Sequence, residues 1–136
     1  MKYWLIKTEP SVWSWEDQKR EQITTWDGVK NYQASNNLKQ MEIKDQCFFY
    51  HSVTDKKIMG IVQVSKTYYP DPTDKTGRFG MIDVKWHQSF TLPVPLKIIK
   101  NHDKLCHLAI VKQSRLSVMP IDEKAWSIIC ELGMNE

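Results

Sequence analysis

The chain has 136 residues, enough for one domain, spanning 1–136, with its own hydrophobic core. It is 41% hydrophobic and 26% charged, close to the globular average, which excludes a disordered chain, and no apolar run approaches the ~20 residues of a membrane span. The net charge is +3, but only Arg20, Arg78 and Arg115 of the basic residues are Arg and the Lys are scattered, so a polyanion partner is permitted while strong non-specific duplex binding is not expected.

Tyr3 to Thr8 is β-rich and reads as a first strand, ended by Glu9-Pro10. Ser14-Trp15-Glu16-Asp17 has the form of a capping box, which predicts a short helix to about Gln22. Trp26 to Ala34 reads as loop or turn around Gly28, and Ser35 as the cap of a second short helix carrying Leu38 and Met41 on one face. Lys44-Asp45 turns the chain into a central strand, Gln46 to Ser52. Ile58 to Tyr69 is the next strand, and Pro70-Asp71-Pro72-Thr73-Asp74 must be a loop. Met81 to Trp86 alternates as a half-buried strand, and Val94 to Ile99 reads as another. Leu105 to Val111 fits helix or strand, and Arg115 to Met119 is extended before Pro120. Asp122 can cap a last helix through Leu132, with Gly133 as its stop. Short strands, short helices between them and uneven connections predict an α+β fold built on a small mixed barrel or a strongly curved sheet.

No P-loop, dinucleotide fingerprint or nucleophile elbow is present. Gly77-Arg78-Phe79-Gly80 imitates a nucleic-acid-binding KH loop, but it joins a Pro-rich loop to a strand and reads as a tight turn. His102, Cys106 and His107 lack a second ligand pair for zinc, and Cys47 and His51 lie roughly 13 Å apart if they share a strand. Neither a catalytic set, a metal nor a cofactor is therefore expected. Cys47, Cys106 and Cys130 form an odd, unspaced set, which points to free thiols in a reducing compartment. Met1-Lys2-Tyr3-Trp4 reads as strand and not signal peptide, and no basic tail is visible, so a cytoplasmic setting and a bacterial source are expected.

The segment richest in recognition chemistry is Trp26-Asp27-Gly28-Val29-Lys30-Asn31-Tyr32-Gln33-Ala34. Aromatic rings stack on a flat base, Asn and Gln pair a donor with an acceptor, and Lys meets phosphate. This block resembles a signature of the EVE domain, a member of the PUA superfamily. So do Tyr3-Trp4-Leu5-Ile6-Lys7-Thr8-Glu9-Pro10, Phe49-Tyr50-His51-Ser52, Gly60-Ile61-Val62, Tyr69-Pro70-Asp71-Pro72-Thr73 and Arg115-Leu116-Ser117-Val118-Met119-Pro120. Six blocks in order span nearly the whole chain. The resemblance implies a PUA-like curved mixed sheet or small β-barrel with short helices at its margins, related to the YTH domain. It also implies a non-catalytic reader of a modified base, DNA being favoured as partner, with RNA or a free nucleoside-like ligand as alternatives, and a monomer is expected.

On that footing Trp26 and Tyr32 are candidate stacking walls, and Asn31 and Gln33 candidate readers of a base edge. His51 and Ser52 are placed at the pocket mouth and Asp71 as an acceptor for an exocyclic amine. Lys30, Arg115 and Ser117 are candidate phosphate contacts. The remaining Trp residues, Trp13 among them, are assigned to packing. Two departures bear on affinity: the family usually has Arg where Lys30 stands and often Arg where Ser35 stands, and Lys lacks the bidentate fork of Arg.

Overall fold

Trp4, Leu5 and Ile6 are buried in succession without alternation, the mark of a strand covered on both faces. In the computed structural model, which describes residues 1–134, they lie in β1 (Tyr3–Thr8) of a six-stranded mixed sheet. The chain continues through α1 (Trp15–Glu21), β2 (Ile23–Trp26), α2 (Tyr32–Gln40), β3 (Gln46–His51), β4 (Lys57–Pro70) and β5 (Gly80–Pro95). It ends with α3 (Leu96–Lys100), α4 (Ala109–Lys112), β6 (Val118–Ile121) and α5 (Glu123–Met134). The strand order is β2-β5-β4-β3-β1-β6, with β1 and β3 parallel and the other pairs antiparallel. A parallel pair needs a long crossover, and α1, β2 and α2 supply it.

The sheet is strongly curled. β2 and β3 are three strand steps apart, about 14 Å on a flat sheet. Yet the rings of Trp26 on β2 and Phe49 on β3 meet edge to face with centroids 5.6 Å apart. The β4–β5 ladder slips register at Ile58/Gly60, Ile61/Val62, Val64/Lys66 and Lys66/Tyr69, and such bulges bend a strand and increase its twist. The sheet curls without closing: β2 and β6 remain edges, so the architecture is an open curved sheet and not a closed barrel. Asn37 of α2 donates to the Val118 carbonyl at 2.7 Å and ties that helix to β6.

Two glycines allow the close approaches that build the core. A Cβ on Gly60 would lie 2.4 Å from the Trp15 ring and 2.4 Å from the Gln88 carbonyl, so Gly60 lets Trp15 lie on the sheet. A Cβ on Gly133 would lie 2.3 Å from the Phe90 ring. Gly133 is thus a packing residue inside α5, which runs on to Met134, and not a helix stop. α5 also carries Trp126, stacked on Phe48 at 3.8 Å and on Tyr3 at 4.4 Å.

The expected caps at Ser14 and Asp122 are present: Ser14 and Asp17 exchange side-chain-to-backbone bonds, and Asp122 accepts from the Ala125 N–H at 2.9 Å. The second helix differs. It starts at Tyr32 because Asn31, not Ser35, is its cap, accepting from the Ala34 N–H at 2.9 Å. Ser35, expected as the cap, is instead buried inside the helix. Val94 and Pro95 end β5, and Leu96–Lys100 is helical and not strand. β5 is far longer than the expected Met81–Trp86 because it tolerates Pro93 and Pro95 at its final residues.

Candidate nucleic-acid interface

The curl brings the β2 edge across to the carboxyl end of β1, and a cleft opens between them. It has a volume of about 500 Å³ and is lined by Lys7, Thr8, Trp13, Thr24, Trp26 and Asp27 among others. That is within the range of small-ligand pockets. Trp26 ends β2 instead of standing in a loop; it is buried, 7% exposed, and braced by Phe49, with its remaining exposed edge in the cleft wall. The indole of Trp13, in the turn before α1, is half-buried and donates to Gln18 Oε1 at 2.9 Å. Gln18 in turn donates from Nε2 to the Gln22 carbonyl at 2.9 Å, so the indole is held by a fixed partner.

Lys7 and Thr8 also line a second groove, of about 540 Å³, which runs on to Tyr50, Ser52, Lys56, Lys100, Arg115 and Ser117. Lys7, Lys56, Lys100 and Arg115 are its cations, and Glu9 its acid. Lys7 Nζ donates to the Ser114 carbonyl at 3.0 Å and lies 5.9 Å from the Tyr50 ring centroid. Burial holds its ammonium below the usual lysine range. A partly desolvated cation of this kind gains from an incoming anion. Burial also pushes the Tyr50 hydroxyl up to about 12, so it remains a neutral donor. Arg115 takes part in no ion pair among the described residues. At the lip of the groove Val53 has φ +71°, a costly backbone setting for a β-branched residue.

A third notch, of about 310 Å³, shares Ser114 and Arg115 with this groove and adds Asn31, Gln33 and Lys112. The first turn of α2 beside it has no acidic residue, so the positive end of the helix dipole is uncompensated there. A larger depression of about 970 Å³ lies at the start of α5, lined by Lys104, His107, Asp122, Glu123 and Lys124. Its walls carry no Trp, Tyr or Phe, and His107 and Asp122 already satisfy each other at 2.6 Å.

The predicted site residues therefore separate. Trp26 stands in the cleft, Ser52, Arg115 and Ser117 in the groove, and Asn31 and Gln33 in the notch. His51 is buried: its Nε2 accepts from the Trp15 N–H at 2.9 Å, and its Nδ1 meets Asp55 at 3.1 Å. An accepting Nε2 requires the proton on Nδ1, so this ring fastens α1 to β3 and does not line the mouth. Asp71 is also buried, accepting from the Thr73 N–H at 2.8 Å and hydroxyl at 2.6 Å, and these bonds hold its carboxyl below the usual range. Its Oδ1 is engaged by its own loop. Lys30 and Tyr32 lie beside it against the tip of the β4–β5 hairpin and do not line the cleft. Asn31 has its carboxamide oxygen committed to the helix cap. Sequence reasoning missed Lys7, Thr8 and Trp13. For Lys7 and Thr8 the available signal was a Lys-Thr pair at the carboxyl end of a strand with a buried centre, where open sheets with parallel strands commonly place ligands.

A curled, open mixed sheet with short helices at its margins defines the PUA-like class of domain. Within it, the chain belongs to the EVE domain family, which it matches over residues 2–132. It is 32% identical to chicken (Gallus gallus) thymocyte nuclear protein 1, covering 96% of this chain and 68% of that one. The solved structure of Rpa0253 from Rhodopseudomonas palustris has a TM-score of 0.93 at 39% identity, over 98% of this chain and 93% of that one. Human THYN1 protein in complex with 5-methylcytosine-containing DNA has a TM-score of 0.90 at 28% identity, over 100% and 99%. The YTH domain of Zygosaccharomyces rouxii MRB1 shares the fold alone, at 16% identity and a TM-score of 0.59 over 98% and 87%.

Proposed function

We propose that this chain is a non-catalytic module that takes one modified base of DNA, methylated or oxidised at the methyl, into the Trp13–Trp26 cleft. The adjoining groove holds the flanking backbone. The observation that carries this reading is the continuity of the two spaces: an aromatic cleft leads, through Lys7 and Thr8, into a groove with Lys56, Lys100 and Arg115. Human THYN1, solved with 5-methylcytosine-containing DNA, supports the choice of partner.

The energies fit a reader of modest affinity. Extruding a base costs a few kcal/mol and stacking returns about 1–3 kcal/mol. One methyl adds about 0.8 kcal/mol if fully buried, so the mark itself gives roughly fourfold preference. The phosphate contacts must supply most of the affinity, and binding must weaken steeply with salt. The protein acts as a monomer in this reading, since one base and its flanking phosphates meet one cleft and one groove.

The test is binding to matched single- and double-stranded DNA and RNA, unmodified or carrying methylated or hydroxymethylated bases, at two salt concentrations. Trp26→Ala and Trp13→Ala are expected to remove the preference for the mark, with folding checked by circular dichroism. Lys7→Met and Arg115→Ala are expected to weaken binding to all sequences alike. Flat, negligible binding of the wild-type chain throughout would sink the reading, and tighter binding to RNA than to matched DNA would replace its partner.

A further inference from the structure

Lys30, Tyr32 and the Gly77–Gly80 turn take no part in the cleft, and they meet at the tip of the β4–β5 hairpin. The Tyr32 ring is 57% exposed and packs on Phe79 with centroids 5.1 Å apart. Arg78 donates from Nη1 to the Tyr32 hydroxyl at 3.3 Å, and Lys30 Nζ lies 5.7 Å from the Phe79 ring centroid. Lys75 is exposed beside them in the turn. The acids of the tip face inward. Asp74 accepts from the Thr76 N–H at 3.1 Å, the Thr76 hydroxyl at 2.7 Å and the Phe79 N–H at 2.7 Å. Asp71 is buried on Thr73. A rigid turn thus directs its carboxylates into its own N–H groups and its cations and one aromatic ring outward.

We propose that this tip is a second contact surface for nucleic acid, gripping phosphates that flank the base held in the cleft. The inference rests on the reading of the cleft given above. Lys30 is four residues from Trp26, so their Cα atoms are within about 14 Å. A duplex advances about 3.4 Å per nucleotide along each strand, so Lys30, against which the tip packs, stands within about four base pairs of Trp26. Arg and Lys position a strand through phosphate oxygens, and a Tyr hydroxyl contacts them as well. The acids of the tip nearly balance its cations, so this surface acts at contact and not by long-range attraction. It serves duplex or extended strands; a ligand too short to reach it gains nothing from it.

The double variant Lys75→Gln/Arg78→Gln tests this against the wild-type chain, across a salt series, with a long duplex and a trinucleotide, both carrying 5-methylcytosine. Duplex affinity is expected to fall about tenfold at low salt, with the slope of log affinity against log salt shallower by about two. Trinucleotide affinity and the unfolding midpoint are expected to hold, and Arg78→Lys alone is expected to keep the wild-type slope. Wild-type binding with an unchanged duplex slope in the double variant overturns the second surface alone, as does equal loss on both ligands. Failure of the wild-type chain to bind either ligand overturns the cleft reading and this one together.

Discussion

Asp45 ties the amino end of β1 to the turn before β3. It is buried, and its two oxygens accept from the Lys2 N–H at 3.1 Å, the Glu42 N–H at 3.0 Å and the Trp4 indole at 3.1 Å. A buried carboxylate is tolerable only when its lone pairs are filled in this way. Asp45→Asn replaces one acceptor with an NH₂ facing N–H donors. Hydrogen bonds to a charged group are worth about 1.5–3 kcal/mol, so urea unfolding should show a loss of about 2 kcal/mol. Asp45 sits by the amino end of β1, opposite the cleft, and binding per folded molecule should not change. A loss below about 0.5 kcal/mol would contradict the account. Neither Asp45 nor His51 announced these roles in the sequence, because Lys2 and Trp4, on Asp45, and Trp15, on His51, lie 36 to 43 residues away in the chain. The Trp26–Ala34 block was legible as a family signature, which the match over residues 2–132 bears out. Its division among cleft, tip and notch was not, since a strand end, a turn and a helix start point its side chains in different directions.

At the scale of elements, those with a local signal were readable. β1, α1, β3 and α5 declare themselves by apolar runs, a capping box and an Asp cap. The start of α2 did not, because Asn31 and Ser35 are both good caps and only tertiary packing buries Ser35. The hairpin tip makes a prediction about acid. Hydrogen bonds from the Thr76 hydroxyl and the Phe79 N–H hold the Asp74 carboxyl at about 2, well below its ordinary value of 3.8. A depressed carboxylate contributes stability above its unfolded value and loses it as pH falls through its folded value. The tip should therefore stay ordered above about pH 4 and loosen progressively towards pH 2. Asp71, depressed in the same direction by Thr73, reinforces the window. Amide hydrogen exchange at Phe79 and Thr76 should rise across that interval before the core amides of β3 do. A tip that exchanges no faster at pH 2 than at pH 5, after correction for intrinsic rates, would refute the role of Asp74.

For the whole molecule, the cleft exists because the sheet curls, and the curl has an identifiable brace. Trp15, Phe49 and Trp26 form a continuous aromatic contact across the concave face, with centroids 4.9 Å and 5.6 Å apart. No sequence pattern shows this, since the three residues belong to a helix, a central strand and an edge strand that meet only once the sheet has bent. Adjacent strand residues point to opposite faces, so Phe48, equally buried, packs instead against Trp126 and Phe90. The pair provides an internal control. Phe49→Leu and Phe48→Leu should each cost about 1–2 kcal/mol of stability, because each removes a buried aromatic contact of similar size. Only Phe49→Leu withdraws the edge support of Trp26, and nucleic-acid affinity measured where both variants are fully folded should then fall about fivefold for it alone, roughly 1 kcal/mol. Equal weakening in the two variants would mean that binding follows general stability, and that the aromatic brace does not set the shape of the cleft.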